Sequence, residues 1–135
     1  MRFIDTNVLL YSISDAPGEQ KKRAKATALL DGRDCVLSVQ VLQEFYVQAS
    51  RPSRPDPLPH DVAVRLIEAW MRFPVQDLTA AVMKDALALK VRSGFSYWDC
   101  AIIAAARASG CDTVCSEDLT HGRIIEGVRI VNPFR

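Results

Sequence analysis

The chain has 135 residues, enough for one domain with a buried core, and 49% of them are hydrophobic, which excludes an intrinsically disordered protein. Its 17 basic and 16 acidic residues give a formal net charge of +1, which excludes a globally basic surface for nucleic acid. Any binding of phosphates must therefore depend on a local group of residues. No apolar stretch approaches the roughly 20 residues of a membrane-spanning helix. We therefore expect a cytoplasmic protein with a single domain over residues 1–135 and no membrane contact.

Strands and helices are predicted to alternate along the chain. The apolar run at residues 1–4 predicts a strand, and the capping-type residues after it predict the start of a helix. The segment 51–59 holds four of the seven prolines and is predicted to be a loop. Further helices are predicted at residues 19–30, 39–50, 60–73 and 79–92 and from residue 96, and further strands at residues 35–37, 112–116 and 128–131. This order favours an α/β fold in which helices cover both faces of a largely parallel sheet.

Acidic residues stand where predicted strands end. Asp5 follows the first strand directly, and Glu117 and Asp118 follow the strand near residues 112–116. In open α/β sheets, ligands bind in the crevice outside the carboxyl ends of the strands. Acids at these positions are therefore better placed for chemistry than acids in the middle of a helix.

Two further acids fall on predicted helices. Glu44 borders the apolar face of the helix at residues 39–50, and Asp99 begins a helix whose residues 100–106 are apolar on every side. Burial of an unpaired carboxylate is costly, and no Arg or Lys adjoins Asp99 in the sequence. Two carboxylates about 4 Å apart repel by roughly 4 kcal/mol at an effective dielectric of about 20. If the acids converge, they must take up protons or hold a hard divalent cation such as Mg²⁺ or Mn²⁺.

Each acid also has an ordinary structural interpretation. Asp5 can cap its helix, Asp99 resembles one half of a capping box with Ser96, and Asp118 can be a turn residue. Glu44 alone is a common kind of helix-border acid. Only the four together indicate a metal site.

Other candidate features are weaker. The loop residue His121 is expected to be incidental, and Tyr97 and Trp98, which could stack on bases, are expected in the core or an interface. No nucleophile elbow or glycine-rich phosphate loop is present. An aspartyl phosphotransferase is a distant rival, because Asn7 stands where such enzymes commonly place a second Asp. The four cysteines are expected to be reduced core residues.

Five stretches, taken in order, carry a family resemblance. They are Phe3-Ile-Asp-Thr-Asn-Val, Ser38 six residues before Glu44, Ser96-Tyr-Trp-Asp-Cys-Ala, Ser116-Glu-Asp-Leu with His121-Gly122 after it, and Val128-Arg-Ile-Val-Asn-Pro-Phe. With these the chain resembles the PIN-domain ribonucleases over nearly its whole length, and more closely the VapC-like toxins of toxin–antitoxin pairs. The resemblance implies a three-layer α/β/α sandwich.

The resemblance also implies a set of site residues. It makes Asp5, Glu44, Asp99 and Asp118 the metal-binding catalytic acids, with Mg²⁺ or Mn²⁺ as the cofactor. The groups that would orient the carboxylates or a bound water are Thr6, Asn7, Ser38 and Ser116. Glu117 could share or replace the role of Asp118.

The implied activity is metal-dependent hydrolysis of RNA, with water attacking in line and no covalent enzyme intermediate. The implied partners are a second copy of the chain and a small DNA-binding antitoxin that occludes the active site. From the residues themselves, Arg51 and Arg54 are better candidates for phosphate contact than the basic run at residues 21–25, which is expected to be a solvated helix face. The alternative is a PIN-fold module that binds RNA or a protein and keeps a structural metal without turnover.

Overall fold

Six strands and six helices follow one another in the computed structural model, which describes residues 1–135. The strands are β1 (Arg2–Ile4), β2 (Cys35–Ser38), β3 (Val75–Gln76), β4 (Thr113–Cys115), β5 (Ile124–Ile125) and β6 (Val128–Val131). The helices are α1 (Thr6–Ser12), α2 (Gln20–Leu30), α3 (Val39–Ser50), α4 (His60–Trp70), α5 (Ala80–Ser93) and α6 (Tyr97–Ala108). The predicted α/β class is confirmed, and the proline-rich segment 51–59 forms no helix or strand.

The strands form one sheet in the order β3-β2-β1-β4-β6-β5. All neighbours are parallel except β5 and β6. From central β1 the chain builds one side of the sheet through β2 and β3, and then crosses back to build the other side from β4. The order therefore reverses at β1, and ligands of open α/β sheets bind at such a reversal. The carboxyl ends of β2, β1 and β4 lie side by side there.

The sequence predicted neither the two-residue strand β3 nor the hairpin strand β5. Strand β5 is also only two residues long and pairs with β6 across Glu126 and Gly127, whose φ angles are 49° and 84°. Two positive φ values characterise a type I′ turn, which usually carries Asn or Asp before Gly. With Glu in that place, the usual hairpin signal is missing.

The hydrophobic core lies between the sheet and its helices. Seven consecutive residues of α6, Cys100 to Ala106, are buried, so this helix is internal as predicted. Across the molecule the rings of Phe45 and Trp70 meet edge to face at 4.7 Å between centroids and join α3 to α4. All four cysteines are buried and free, which confirms their expected core role. None of the helices combines the length and the apolar character that crossing a membrane requires.

Candidate metal centre

The four predicted acids line one small cavity at the reversal point of the sheet. Its volume is about 110 Å³, and its walls are formed by Asp5, Thr6, Asn7, Leu10, Glu44, Gln48, Trp98, Asp99, Ile102 and Asp118. No Lys, Arg or His belongs to this set. All six of the chain's side-chain ion pairs involve other acids. The structure thus brings together acids from four elements and leaves their charges without a protein cation.

Asp5 is the most deeply placed of these acids. It ends β1 and caps α1, and its side chain is only 8% exposed. Its two oxygens accept hydrogen bonds from the Thr6 backbone N–H and from the Ser116 hydroxyl, each at 2.7 Å. Burial raises the pKa of Asp5 to about 6, these two bonds oppose the rise, and the nearby carboxylates of Asp118 and Glu44 add to it. The surroundings of Asp5 therefore disfavour its charged form.

Glu44 reaches the cavity from α3. Ser38 ends β2 and caps this helix by accepting a hydrogen bond from the Val41 N–H at 3.2 Å. The Glu44 carboxylate accepts bonds from the Thr6 hydroxyl and the Gln40 amide, both at 2.9 Å. Thr6 therefore contacts Glu44 directly, whereas Ser38 caps the helix that carries Glu44.

Ser116 and Asn7 hold the loop after β4 in place. Ser116 is fully buried, and its oxygen accepts bonds from the Asp118 N–H at 3.1 Å and from the Asn7 amide at 3.2 Å while its hydroxyl donates to Asp5. The Asn7 amide also donates to the Asp118 carboxylate at 3.2 Å. These bonds place Asp118 beside Asp5 in the cavity wall.

Glu117 points away from the cavity. Its carboxylate accepts hydrogen bonds from the Tyr11 hydroxyl and from the Lys22 ammonium group, with which it forms an ion pair. Burial alone would raise the pKa of Glu117, but the bonds from Lys22 and Tyr11 hold it below its ordinary value. Of the two adjacent acids, the structure places Asp118 in the cavity and Glu117 in this separate network.

Asp99 lies in the first turn of α6. Ser96 caps the helix and accepts a hydrogen bond from the Asp99 N–H at 3.2 Å, which is one half of the predicted capping box. The Asp99 side chain is half-buried and contributes to the cavity wall. The structural and the chemical interpretations of this residue are thus compatible.

Other candidate residues fall outside the cavity. Arg51 and Arg54 lie in the loop after α3, and neither forms part of the wall, so a phosphate contact for them stays a prediction. The His121 ring accepts a hydrogen bond from the Asn132 N–H, away from the acids. Trp98 is not a core residue, because it is 65% exposed and lies at the cavity, whereas an interface role for it stays a prediction. Sequence reasoning missed Gln48 as a wall residue, although it lies four residues after Glu44 on the same helix face.

The donor chemistry of the cavity fits a hard divalent cation. Carboxylate, hydroxyl and amide oxygens are the ligands that Mg²⁺ prefers, and the wall holds no Lys, Arg or His to offset the charge of buried Asp5. As the side chains stand, no group of three or more His, Cys, Asp or Glu residues is arranged to hold a metal ion. The carboxylates of Glu44 and Asp118 instead accept hydrogen bonds from Thr6 and Asn7. The oxygen donors of the cavity thus suit a hard divalent cation, but the distances between the side chains are not those of a preformed metal site.

Comparisons with known proteins agree with this architecture. The family model for the PIN domain matches residues 2–125. A toxin–antitoxin complex from Klebsiella pneumoniae has a similar structure, with a TM-score of 0.73 and 18% identity over 98% of both chains. The VapC20 toxin of Mycobacterium tuberculosis, described as cleaving the sarcin-ricin loop, has a TM-score of 0.66 and 20% identity over 87% of this chain and 90% of that one.

A third similar structure is VapBC2 from Rickettsia felis, which is bound to a DNA fragment from its promoter. It has a TM-score of 0.64 and 16% identity over 96% of both chains. No curated protein sequence matches the chain. At these identities the structural likenesses show a shared fold.

Proposed function

Because the chain belongs to the PIN domain family, we propose that it is a metal-dependent ribonuclease that acts as the toxin of a toxin–antitoxin pair. The observation that supports this most is the convergence of Asp5, Glu44, Asp99 and Asp118 on one cavity that has no basic side chain. The negative charge of such a cavity repels a phosphodiester. The acids can therefore bind one only when a cation or protons neutralise that charge.

The four acids would hold Mg²⁺ or Mn²⁺. When bound, the metal would polarise a phosphate oxygen and lower the pKa of a water molecule. The chain itself supplies orientation. Thr6 fixes Glu44, Ser116 fixes Asp5, and Asn7 fixes Asp118. A carboxylate on the cavity wall can also accept the proton that an attacking water loses.

We base the proposed partners on the similar structures. The similar structures from Klebsiella pneumoniae and Rickettsia felis include a toxin–antitoxin complex and a VapBC pair with promoter DNA. For this chain we propose a small DNA-binding antitoxin that covers the acidic cavity, and association of two copies. Co-purification with a small protein from the neighbouring gene tests the first part, and mass measurement in solution tests the second.

The decisive experiment is cleavage of total cellular RNA, with the new 5′ ends mapped. Parent protein is compared with Asp5→Asn and Asp99→Asn in Mg²⁺, in Mn²⁺ and with a chelator. Asp112→Asn is the matched control, because Asp112 is exposed at the amino end of β4 and its side chain accepts a hydrogen bond only from its neighbour Thr113. We expect discrete, metal-dependent cuts from the parent and the control alone. Equal cleavage by all four proteins would refute the catalytic assignment.

A binding module without turnover is the second candidate. The observation in its favour is that the acids are hydrogen-bonded to protein donors and not set at metal-binding spacing. The same experiment separates the two functions. Binding of RNA or of a partner with no new 5′ ends, under conditions where the protein is folded, would favour the module.

A further inference from the structure

The chain's two tryptophans occupy opposite environments. Trp70 is 6% exposed and packs against the ring of Phe45 in the core. Trp98 is 65% exposed, although it lies beside Asp99 in the first turn of the buried helix α6. Its ring meets that of Tyr97 edge to face at 5.1 Å between centroids, and Tyr97 packs on the core. Trp98 is therefore a large apolar ring presented to solvent from a well-anchored position.

The exposed ring borders the acidic cavity. Trp98 forms part of the wall together with the apolar side chains of Leu10 and Ile102. Other exposed apolar residues, such as Val47 at 62% and Val91 at 87%, are not part of this wall. The cavity wall therefore combines acids with an accessible aromatic ring.

The size of the cavity limits what enters it. Its volume of about 110 Å³ is well below the roughly 300–1,000 Å³ of pockets that enclose a drug-sized ligand. A cavity of this size suits a phosphate group and water better than a whole nucleotide. A base attached to a phosphate bound there can lie against the rim, where Trp98 is exposed.

We propose that Trp98 is the stacking surface for the base next to the phosphate that enters the acidic cavity. This rests on the proposed ribonuclease function and adds a substrate-contacting residue to it. Aromatic side chains stack on any base, and the geometry requires a base that is free of its neighbours in a duplex. Gln48, on the same wall, has a side-chain amide that makes no hydrogen bond within the protein, unlike the amide of Gln40, and it is available to bond the base or its sugar.

Steady-state cleavage of a short single-stranded RNA tests the proposal. Parent, Trp98→Ala, Trp98→Phe and the control Val47→Ala are compared, with circular dichroism to verify folding. From the usual contribution of one stacked base, Trp98→Ala should raise KM roughly 5- to 100-fold, with Trp98→Phe between it and the parent. Val47→Ala should match the parent, and the same RNA annealed to its complement should be cut poorly by all four. An unchanged KM in Trp98→Ala would overturn the proposal.

Tryptophan fluorescence gives a readout that does not need turnover. On stopped-flow mixing with the single-stranded RNA, the parent should show saturable quenching, and Trp98→Phe, which keeps only buried Trp70, should show none. Cleavage by the parent without quenching would defeat the Trp98 proposal and leave the ribonuclease intact. If the parent neither binds nor cleaves the RNA, both the Trp98 proposal and the proposed ribonuclease function fail. A third outcome is that tryptophan emission changes with protein concentration alone and that Trp98→Ala leaves KM unaffected. This result would assign the ring to a protein interface and would also overturn the proposal.

Discussion

Asp5 should make the metal-free protein less stable as the pH rises. Its pKa is about 6 in the folded chain, against 3.8 for an ordinary Asp, chiefly because the carboxyl group is buried. Between these values the folded protein holds a proton that the unfolded chain releases. Stability is therefore lost as the pH climbs through this window, and the loss is complete above the folded pKa. Asp5→Asn removes this titration and should flatten the pH dependence.

The magnitude follows from the shift. A difference of about 6 − 3.8, or about 2.2 pH units, corresponds to about 3 kcal/mol at 1.36 kcal/mol per unit, and roughly half of this falls between pH 5 and pH 7.5. Asp5→Asn also disturbs the bond from the Ser116 hydroxyl, which already accepts two other hydrogen bonds. Leaving that hydroxyl without an acceptor costs about 1–3 kcal/mol. This cost does not vary with pH, so it shifts the whole curve of the variant and leaves its slope unchanged.

Urea unfolding in chelator, followed by circular dichroism from pH 5 to pH 7.5, measures the effect. The difference in unfolding free energy, Asp5→Asn minus parent, should rise by about 1–2 kcal/mol across this range. Asp34→Asn is the control, and its difference from the parent should stay flat over this range. The hydrogen bond from Arg2 holds the pKa of Asp34 below its ordinary value of 3.8, so its contribution to stability is fully present throughout the range and is lost only on further acidification. A difference for Asp5→Asn that is flat, or that falls with pH, would refute the argument from burial.

Three more outcomes are expected. In thermal unfolding, Mg²⁺ or Mn²⁺ at about 100 times Kd should stabilise the parent by about 2.7 kcal/mol. The same cation should stabilise Asp118→Asn much less, and equal stabilisation of both proteins would place the cation elsewhere. Asp118→Asn should lower the cleavage rate at least about 100-fold. Glu117→Gln, which disrupts the contacts of Glu117 with Lys22 and Tyr11 outside the cavity, should keep most activity and lose some stability; the reverse result would exchange the roles of the two acids. Thr6→Val should weaken cation affinity about 10- to 100-fold in calorimetric titration because it removes the hydrogen bond to Glu44, and Thr6→Ser should restore it; no recovery would show that the bond is not the cause.

The parts of the site that sequence could predict are those set by local pattern. Asp5 and Asp118 follow short apolar strands, and parallel strands place such positions at one edge of a sheet. Glu44 borders the apolar face of its helix at helical spacing. In each of these cases the deciding signal lies within a few residues of the acid.

What could not be predicted depends on contacts between distant parts of the chain. Glu117 and Asp118 are neighbours with the same chemistry, and Lys22, 95 positions from Glu117, decides which one leaves the cavity. The exposure of Trp98 has a similar origin, since its helix is apolar on every side and only the packing of α6 leaves one ring uncovered. Neither effect has a local sequence signal.

The topology also sets when the acidic cavity can form during synthesis. Asp5 leaves the ribosome first, yet the hydroxyl that holds its carboxylate belongs to Ser116, 111 positions later. Central β1 likewise lacks its neighbour β4 until that stretch has emerged. A nascent or prematurely terminated chain therefore carries Asp5, Glu44 and Asp99 without the strand that draws them together. The complete cavity can therefore form only after nearly all of the chain has been translated, so any activity that needs all four acids begins late in synthesis.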